Sequence, residues 1–167
     1  MNNEQAPRQS SFLREVFDFC KSLVILLVIY FVVKTYIAQP FIVRGNSMES
    51  NFQDGDYVVV DELSYRIRDP KRFEVVIFQT GFLTNSPGGS FYIKRIIGLP
   101  GERIVIESGV VTIYSETYPE GIVLTEPYLV QGTTTSISSS KIDTTLREDE
   151  YFVMGDNRVN SFDSRIW

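Results

Sequence analysis

Phe91-Tyr92-Ile93-Lys94-Arg95-Ile96-Ile97 is the stretch whose reading decides the fold. Its aromatic and β-branched residues are bounded by Asn85-Ser86-Pro87-Gly88-Gly89 on one side and Gly98 on the other, the signature of a β-strand. Alternation along that strand puts Tyr92, Lys94 and Ile96 on one face and Phe91, Ile93, Arg95 and Ile97 on the other, so Lys94 has apolar neighbours and Arg95 points away. Runs of the same kind recur at Phe41-Ile42-Val43, Tyr57 to Val60, Glu74 to Phe78, Ile104-Val105-Ile106, Val110 to Tyr114 and Tyr151 to Met154. Seven such strands predict a mainly β domain built as a partly closed antiparallel sheet system. Gln79 to Ser90 and the Ser/Thr-rich Gln131 to Thr145 read as loops, and there is no internal repeat.

Ahead of the strands lies the one long apolar run, Ser22 to Val33, which carries no charge. With Asp18, Lys21 and Lys34 admitted at its margins it extends from Val16 to Ala38, 23 residues. That is ~34 Å of helix at ~1.5 Å per residue, enough for a hydrocarbon core of ~30 Å. The reading is a transmembrane anchor over 16–38, after a short tail at 1–15 and before a β-rich domain at 39–167. The lysines at its ends can snorkel, and Tyr30 and Tyr36 suit the interface. A cleavable signal peptide is the alternative, but Tyr36 stands where a small residue is needed two before Ala38, and Pro40 follows closely. Arg8, Arg14 and Lys21 lean the amino terminus toward the cytoplasm, which puts the β domain of a single-pass protein on the extracytoplasmic side of the cell membrane.

The 167 residues leave room for one ordinary domain beyond the anchor, and 43% hydrophobic content suffices for a core. From residue 35 onward there are 12 Lys plus Arg against 18 Asp plus Glu, a net of −6, which argues against nucleic acid as a partner. The single cysteine, Cys20, sits at the edge of the apolar run, so no disulfide framework, Cys/His metal site or cofactor is expected. The chain has no histidine. A Ser-His-Asp triad is therefore impossible, and any activated serine needs another base, for which lysine is the known substitute. Ser47, 14 positions beyond Val33, and Lys94 are the pair to consider. Lysine can take a serine proton near neutral pH only if burial lowers its pKa from ~10.4 toward ~7 to 8.

Four blocks in order behind the apolar run carry a resemblance: Gly45-Asn46-Ser47-Met48, Asp54-Gly55-Asp56-Tyr57-Val58, Lys94-Arg95-Ile96-Ile97-Gly98-Leu99-Pro100-Gly101-Glu102, and Gly155 to Trp167 with its Gly-Asp-Asn-Arg and Asn-Ser-Phe-Asp-Ser-Arg elements. Together they resemble the bacterial type I signal peptidases, Ser-Lys endoproteases that remove signal peptides from exported preproteins. The resemblance makes Ser47 the nucleophile and Lys94 the general base, and matches Ser161 to the family serine whose hydroxyl orients the lysine amine. It makes Asp156, Arg158, Asp163 and Arg165, with Arg95, supporting charges that hold the segment beside the site. The oxyanion would be met by the Ser47 backbone N–H, while Gly45 stands where some members carry a second hydroxyl donor. Substrate is expected to lie extended beside the strand starting at Phe41 and beside the Lys94 strand, its small side chains entering shallow pockets formed by Phe41, Val43, Met48, Phe52, Tyr92 and Ile93. The implied partners are preproteins with small-x-small cleavage motifs and the lipid bilayer, with the secretion translocon a candidate.

Two departures bear on these expectations. The family usually has a proline two positions after Met48, where this chain has Ser50, so a looser turn is expected. Family members also continue past the tryptophan corresponding to Trp167, so the last strand of the domain is expected to be either absent or missing from this sequence. Repressors of the SOS type share the Ser-Lys pair but carry a DNA-binding domain in place of an anchor, and sortases need a catalytic cysteine and histidine. A noncatalytic anchored β domain is the remaining alternative.

Overall fold

A computed structural model of the chain describes residues 9–36, 38–80, 89–135 and 141–167. It divides into two compact units, one of residues up to Gln39 with Val59–Ile67, the other of Pro40–Val58 with Arg68–Trp167.

In the first unit, helix α1 spans Gln9–Tyr36. It begins inside the stretch expected to be a tail and stops short of Ala38, because Pro40 holds the preceding residues extended and Ala38 already opens a strand. Lys34 in the last turn suits the helix dipole and stands 5.9 Å from the Tyr30 ring centroid, one turn back. From Leu23 to Val32 the apolar side chains are exposed all round the helix, with no single stripe turned to a core. Its charge-free centre is 12 residues, ~18 Å, and among the described residues no helix is long and apolar enough to cross a membrane. The unit also holds a 3-10 turn at Ser64–Arg66, where Ser64 N–H donates to Asp61 Oδ1 at 3.0 Å.

The strands are β1 (Ala38–Ile42), β2 (Tyr57–Asp61), β3 (Val75–Thr80), β4 (Ser90–Gly98), β5 (Arg103–Glu107), β6 (Val110–Tyr114), β7 (Ile122–Val123), β8 (Lys141–Thr145) and β9 (Phe152–Met154). They form sheets of order β1-β2, β3-β4-β9 and β7-β6-β5-β8. The pairs β3/β4, β4/β9, β5/β6, β5/β8 and β6/β7 are antiparallel, and each of the seven expected runs falls on a strand. One expectation is corrected: the end of the supposed loop Gln131 to Thr145 is strand β8, while 136–140 lie outside the described residues. Its sequence, Lys-Ile-Asp-Thr-Thr, is polar on one face, and pairing to β5 is what makes it a strand, with Arg103 gripping Asp143 through two 2.7 Å hydrogen bonds. Of the other expected loop, residues 81–88 lie outside the described residues.

The core gathers Ile97 of β4, Ile104 and Ile106 of β5, Val111 and Ile113 of β6, Leu146, and Phe152 and Met154 of β9. Alternation in β5 and β6 supplies this apolar face. The β4/β9 register shifts between Ile96 and Gly98, and a side chain at Gly98 would run into Ile104. Both Ile96 and Ile97 are buried as a result, and β4 leaves the core with Lys94 already inside the protein.

Candidate active site

Ser47 stands on the connection between β1 and β2, all of its surroundings belonging to the second unit. The connection closes by turns: Glu49 N–H donates to Asn46 O at 3.1 Å, and Asn51 N–H and Phe52 N–H both donate to Met48 O, at 3.2 and 2.9 Å. Its base is tied where Gly45 N–H meets Asp54 Oδ1 at 2.7 Å and Val43 N–H donates to Asp56 O at 2.9 Å. Ser50 adopts φ 94°, a left-handed conformation that proline cannot take. The expected looser turn is therefore a differently built one.

Lys94, opposite Val76 on β3, is 2% exposed. Its Nζ is hydrogen-bonded to Ser47 Oγ at 2.7 Å and donates to Ile93 O at 3.0 Å, with the Tyr92 ring 5.5 Å away. Burial is the largest influence on the amine and lowers its pKa; Asp163 opposes it, Arg165 adds to it, and Asp156 opposes it again. The net direction is downward, toward a neutral amine.

The segment after β9 passes directly beneath this pair. Gly155 approaches Ser47 O and Ser161 so closely that no side chain fits, and Asn157 N–H donates to Ser47 O at 3.0 Å. Asp163 accepts from Gly155 N–H at 2.9 Å and from Arg165 Nε and Nη2 at 2.7 and 2.8 Å. Burial alone would raise the Asp163 carboxyl, but these hydrogen bonds outweigh it and its pKa is lowered. Of the charges expected to support the site, only Asp163 and Arg165 pair with each other within the segment. Asp156 instead takes a bidentate grip from Arg95, at 2.8 and 2.6 Å, while Arg158 is paired with Glu126. Arg95 lies across the Tyr128 ring at 4.0 Å, and Phe73 packs against the same tyrosine. Nothing in the sequence marked Glu126 or Tyr128, since the site arginines they meet, Arg158 for Glu126 and Arg95 for Tyr128, are more than 30 residues away.

Ser161 is buried in this segment, but Lys94 does not hydrogen-bond to it. Its Oγ lies near enough to Asp163 to favour the ionised carboxylate, yet makes no hydrogen bond of good geometry. Ser47 N–H has no acceptor among the described residues, although the Ser47 carbonyl does have a donor.

Ser47 and Lys94 open on an apolar cleft of about 490 Å³. Phe41, Val43, Tyr92 and Ile93 line it as expected, and so do Ile42, Val58, Ile77, Phe91 and Phe162, with Arg44 and Asn160 as polar members. Met48 and Phe52 do not: Met48 is wholly buried, its neighbouring turn having rotated it inward, and Phe52 is half-buried away from the lining. The Phe41 and Phe91 rings meet at 5.3 Å, joining β1 to β4 across the cleft. Phe91 and Ile93, which strict alternation puts on the opposite face from Tyr92, line the same opening as Tyr92.

A buried lysine amine touching a serine hydroxyl in an antiparallel β protein is the arrangement that a serine hydrolase without histidine would need. Residues 16–167 match the family described as signal peptidase, peptidase S26, and the chain belongs to that family of serine endopeptidases. It is 32% identical over 165 residues to a probable signal peptidase I-2 of Synechocystis, covering 98% of this chain and 69% of that protein. With signal peptidase I V of Bacillus subtilis it shares 34% over 152 residues, 85% and 83% of the two chains. A crystal structure of a signal peptidase I from Enterococcus faecalis is similar at 28% identity and a TM-score of 0.41, covering 59% of this chain and 86% of that one.

Proposed function

We propose that the chain removes signal peptides from exported preproteins, with Ser47 as nucleophile and Lys94 as general base. The observation that carries this is the 2.7 Å contact between Ser47 Oγ and a lysine amine that is 2% exposed. A neutral Lys94 takes the hydroxyl proton as Ser47 Oγ attacks the scissile carbonyl, and the resulting ammonium returns it to the departing amine. A water then repeats the cycle to release the acyl group from Ser47. The Ser47 N–H, without an acceptor among the described residues, would meet the oxyanion. Ser161 would receive the Lys94 amine when Ser47 Oγ turns toward substrate; a buried hydroxyl without a partner suits that task. Arg95, Asp156, Arg158, Asp163 and Arg165 hold the segment beneath the pair.

The substrate would lie extended along β1 and β4, with its small side chains in the cleft between Phe41, Val43, Tyr92 and Ile93. We further propose that 16–38 anchors the protein across the cell membrane, behind the tail at 1–15 and with the peptidase domain 39–167 outside the cytoplasm. A helix apolar on every side needs apolar surroundings, and Asp18, Lys21 and Lys34 can reach the headgroups from its ends. The bilayer holding both enzyme and preprotein raises their local concentration, so weak recognition of small side chains suffices. The secretion translocon is the further partner this placement suggests.

Detergent-solubilised protein is expected to cleave a preprotein with Ala at the small-x-small positions and to lose that activity with Ser47→Ala. Undiminished cleavage by the Ser47→Ala variant would remove this reading.

A further inference from the structure

The loop that carries Ser47 is held from outside by amide side chains. Asn157 donates through Nδ2 to Asn46 O at 3.1 Å and to Glu49 at 3.3 Å. Asn51 does more: its single Nδ2 group donates to Tyr128 O at 2.9 Å and to Asp156 Oδ2 at 2.8 Å. An amide nitrogen has two N–H donors, and both are used. Asp156 is the carboxylate that Arg95 grips, and Arg95 adjoins Lys94 on β4. A continuous chain of hydrogen bonds thus runs from the nucleophile's loop through Asn51, Asp156 and Arg95 to the strand of the lysine. Ser50, at φ 94°, sets the direction in which the next residue, Asn51, leaves the loop.

We infer that Asn51 is a positioning residue, the latch that holds the loop of Ser47 in register with the strand of Lys94, with the left-handed Ser50 as its hinge. This rests on the assignment of Ser47 and Lys94 as the reacting pair. The 2.7 Å contact between them depends on two segments that are 47 residues apart in sequence, and Asn51 is the side chain of the loop that ties it to both Asp156 and Tyr128. The loop's internal turns fix its shape, but not its distance from β4. Asn51 touches neither reacting atom and does not line the cleft, so its loss leaves substrate binding intact and misplaces the attacking oxygen.

The test uses the full chain in detergent, with kcat and KM measured on a preprotein well below each variant's melting midpoint. Asn51→Ala is expected to lower kcat roughly 10- to 100-fold with KM within about twofold. Asn51→Asp keeps the shape, removes the donors and brings a second carboxylate against Asp156. Lys94 is faced by Asp163, Arg165 and Asp156, and added negative charge there moves the acid limb of kcat/KM to higher pH. Ser50→Gly, which keeps the left-handed hinge, is expected to stay within about twofold of the parent, whereas Ser50→Pro loses activity at least as far as Asn51→Ala. A parent chain without Ser47-dependent cleavage would overturn the assignment of the pair and this inference with it. With the parent active, an Asn51→Ala variant of lowered melting midpoint and unchanged kcat overturns the latch alone. Should the alanine variant not fold, the latch is overturned equally by an Asn51→Asp variant with the parent's kcat and an unmoved acid limb, or by a fully active Ser50→Pro.

Discussion

Gly155 is the position where one methyl group should separate catalysis from folding. A Cβ there would overlap the Ser47 carbonyl oxygen and Ser161 Oγ and stand 2.6 Å from Ser161 Cβ, where ordinary contact begins near 3.4 Å. The glycine cannot simply retreat, because its N–H is tied to Asp163 at 2.9 Å. The Ser47 carbonyl is held in turn by Asn157 N–H at 3.0 Å. Something must therefore yield by about 1 Å, and the yielding group is the backbone of Ser47 or the buried segment beneath it. Overpacking of this kind costs ~1–3 kcal/mol, and a ~1 Å misplacement of a reacting group costs ~10²-fold in rate. Gly155→Ala is thus expected to remain folded, with a melting midpoint lower by several degrees, while kcat/KM on a preprotein falls about 100-fold. Adding Ser161→Gly relieves one side of the overlap but not the Ser47 side, so the double variant should regain stability more than activity. Parent-like kcat/KM for Gly155→Ala would refute the reasoning, as would a loss that only tracks the unfolded fraction.

Lys94→Arg should fold and be inactive in the same cleavage assay, because a guanidinium does not release its proton near neutral pH. The parent's kcat/KM should rise with pH through the lowered pKa of Lys94; a profile whose only inflection lies near ~4 to 5 would point to a carboxylate base instead. Glu126→Ala leaves Arg158 charged, wholly buried and without its carboxylate, and should destabilise the domain by ~3–5 kcal/mol in chemical denaturation. Arg103→Ala breaks the Asp143 pair, which is 45% and 36% exposed, and should leave the denaturation midpoint close to the parent's.

The strands were legible because their burial is alternate or complete. β5 and β6 show it in Ile104, Ile106, Val111 and Ile113, whose period the sequence carries openly. β8 was not legible, because Lys141, Asp143 and Thr145 face solvent and only the ladder to β5 makes the segment extended. Two-residue β7 is too short for any period. At the site, the absence of histidine left lysine as the base, and strand alternation gave Lys94 its apolar neighbours. Which acid meets which arginine could not be read in advance. Arg158 reaches back to Glu126 and Arg95 forward to Asp156, pairings fixed by how β4, β9 and the following segment pack. Met48 misled for a related reason: the tight turns after Ser47 drive its side chain into the interior.

The arginines explain how the pKa of Lys94 can be lowered while two carboxylates stand near it. Asp163 and Asp156 each favour the charged amine, and unpaired acids at that range would hold it as ammonium. Each is instead engaged by a guanidinium, Asp163 by Arg165 and Asp156 by Arg95, and Arg165 itself disfavours a second cation. Burial is then left as the largest influence on Lys94, and its direction prevails. The two members of the Asp163–Arg165 pair should consequently have opposite effects. Asp163→Asn removes an attraction and leaves Arg165 unopposed, so the acid limb of kcat/KM moves to lower pH. Arg165→Gln removes a repulsion and frees Asp163 to hold the ammonium, so the limb moves to higher pH. Both variants lose part of a buried pair and should melt earlier than the parent, which makes stability alone uninformative here. Measured on the residual activity, limbs that move the same way, or do not move, would show that the charge balance beneath Lys94 does not set its protonation.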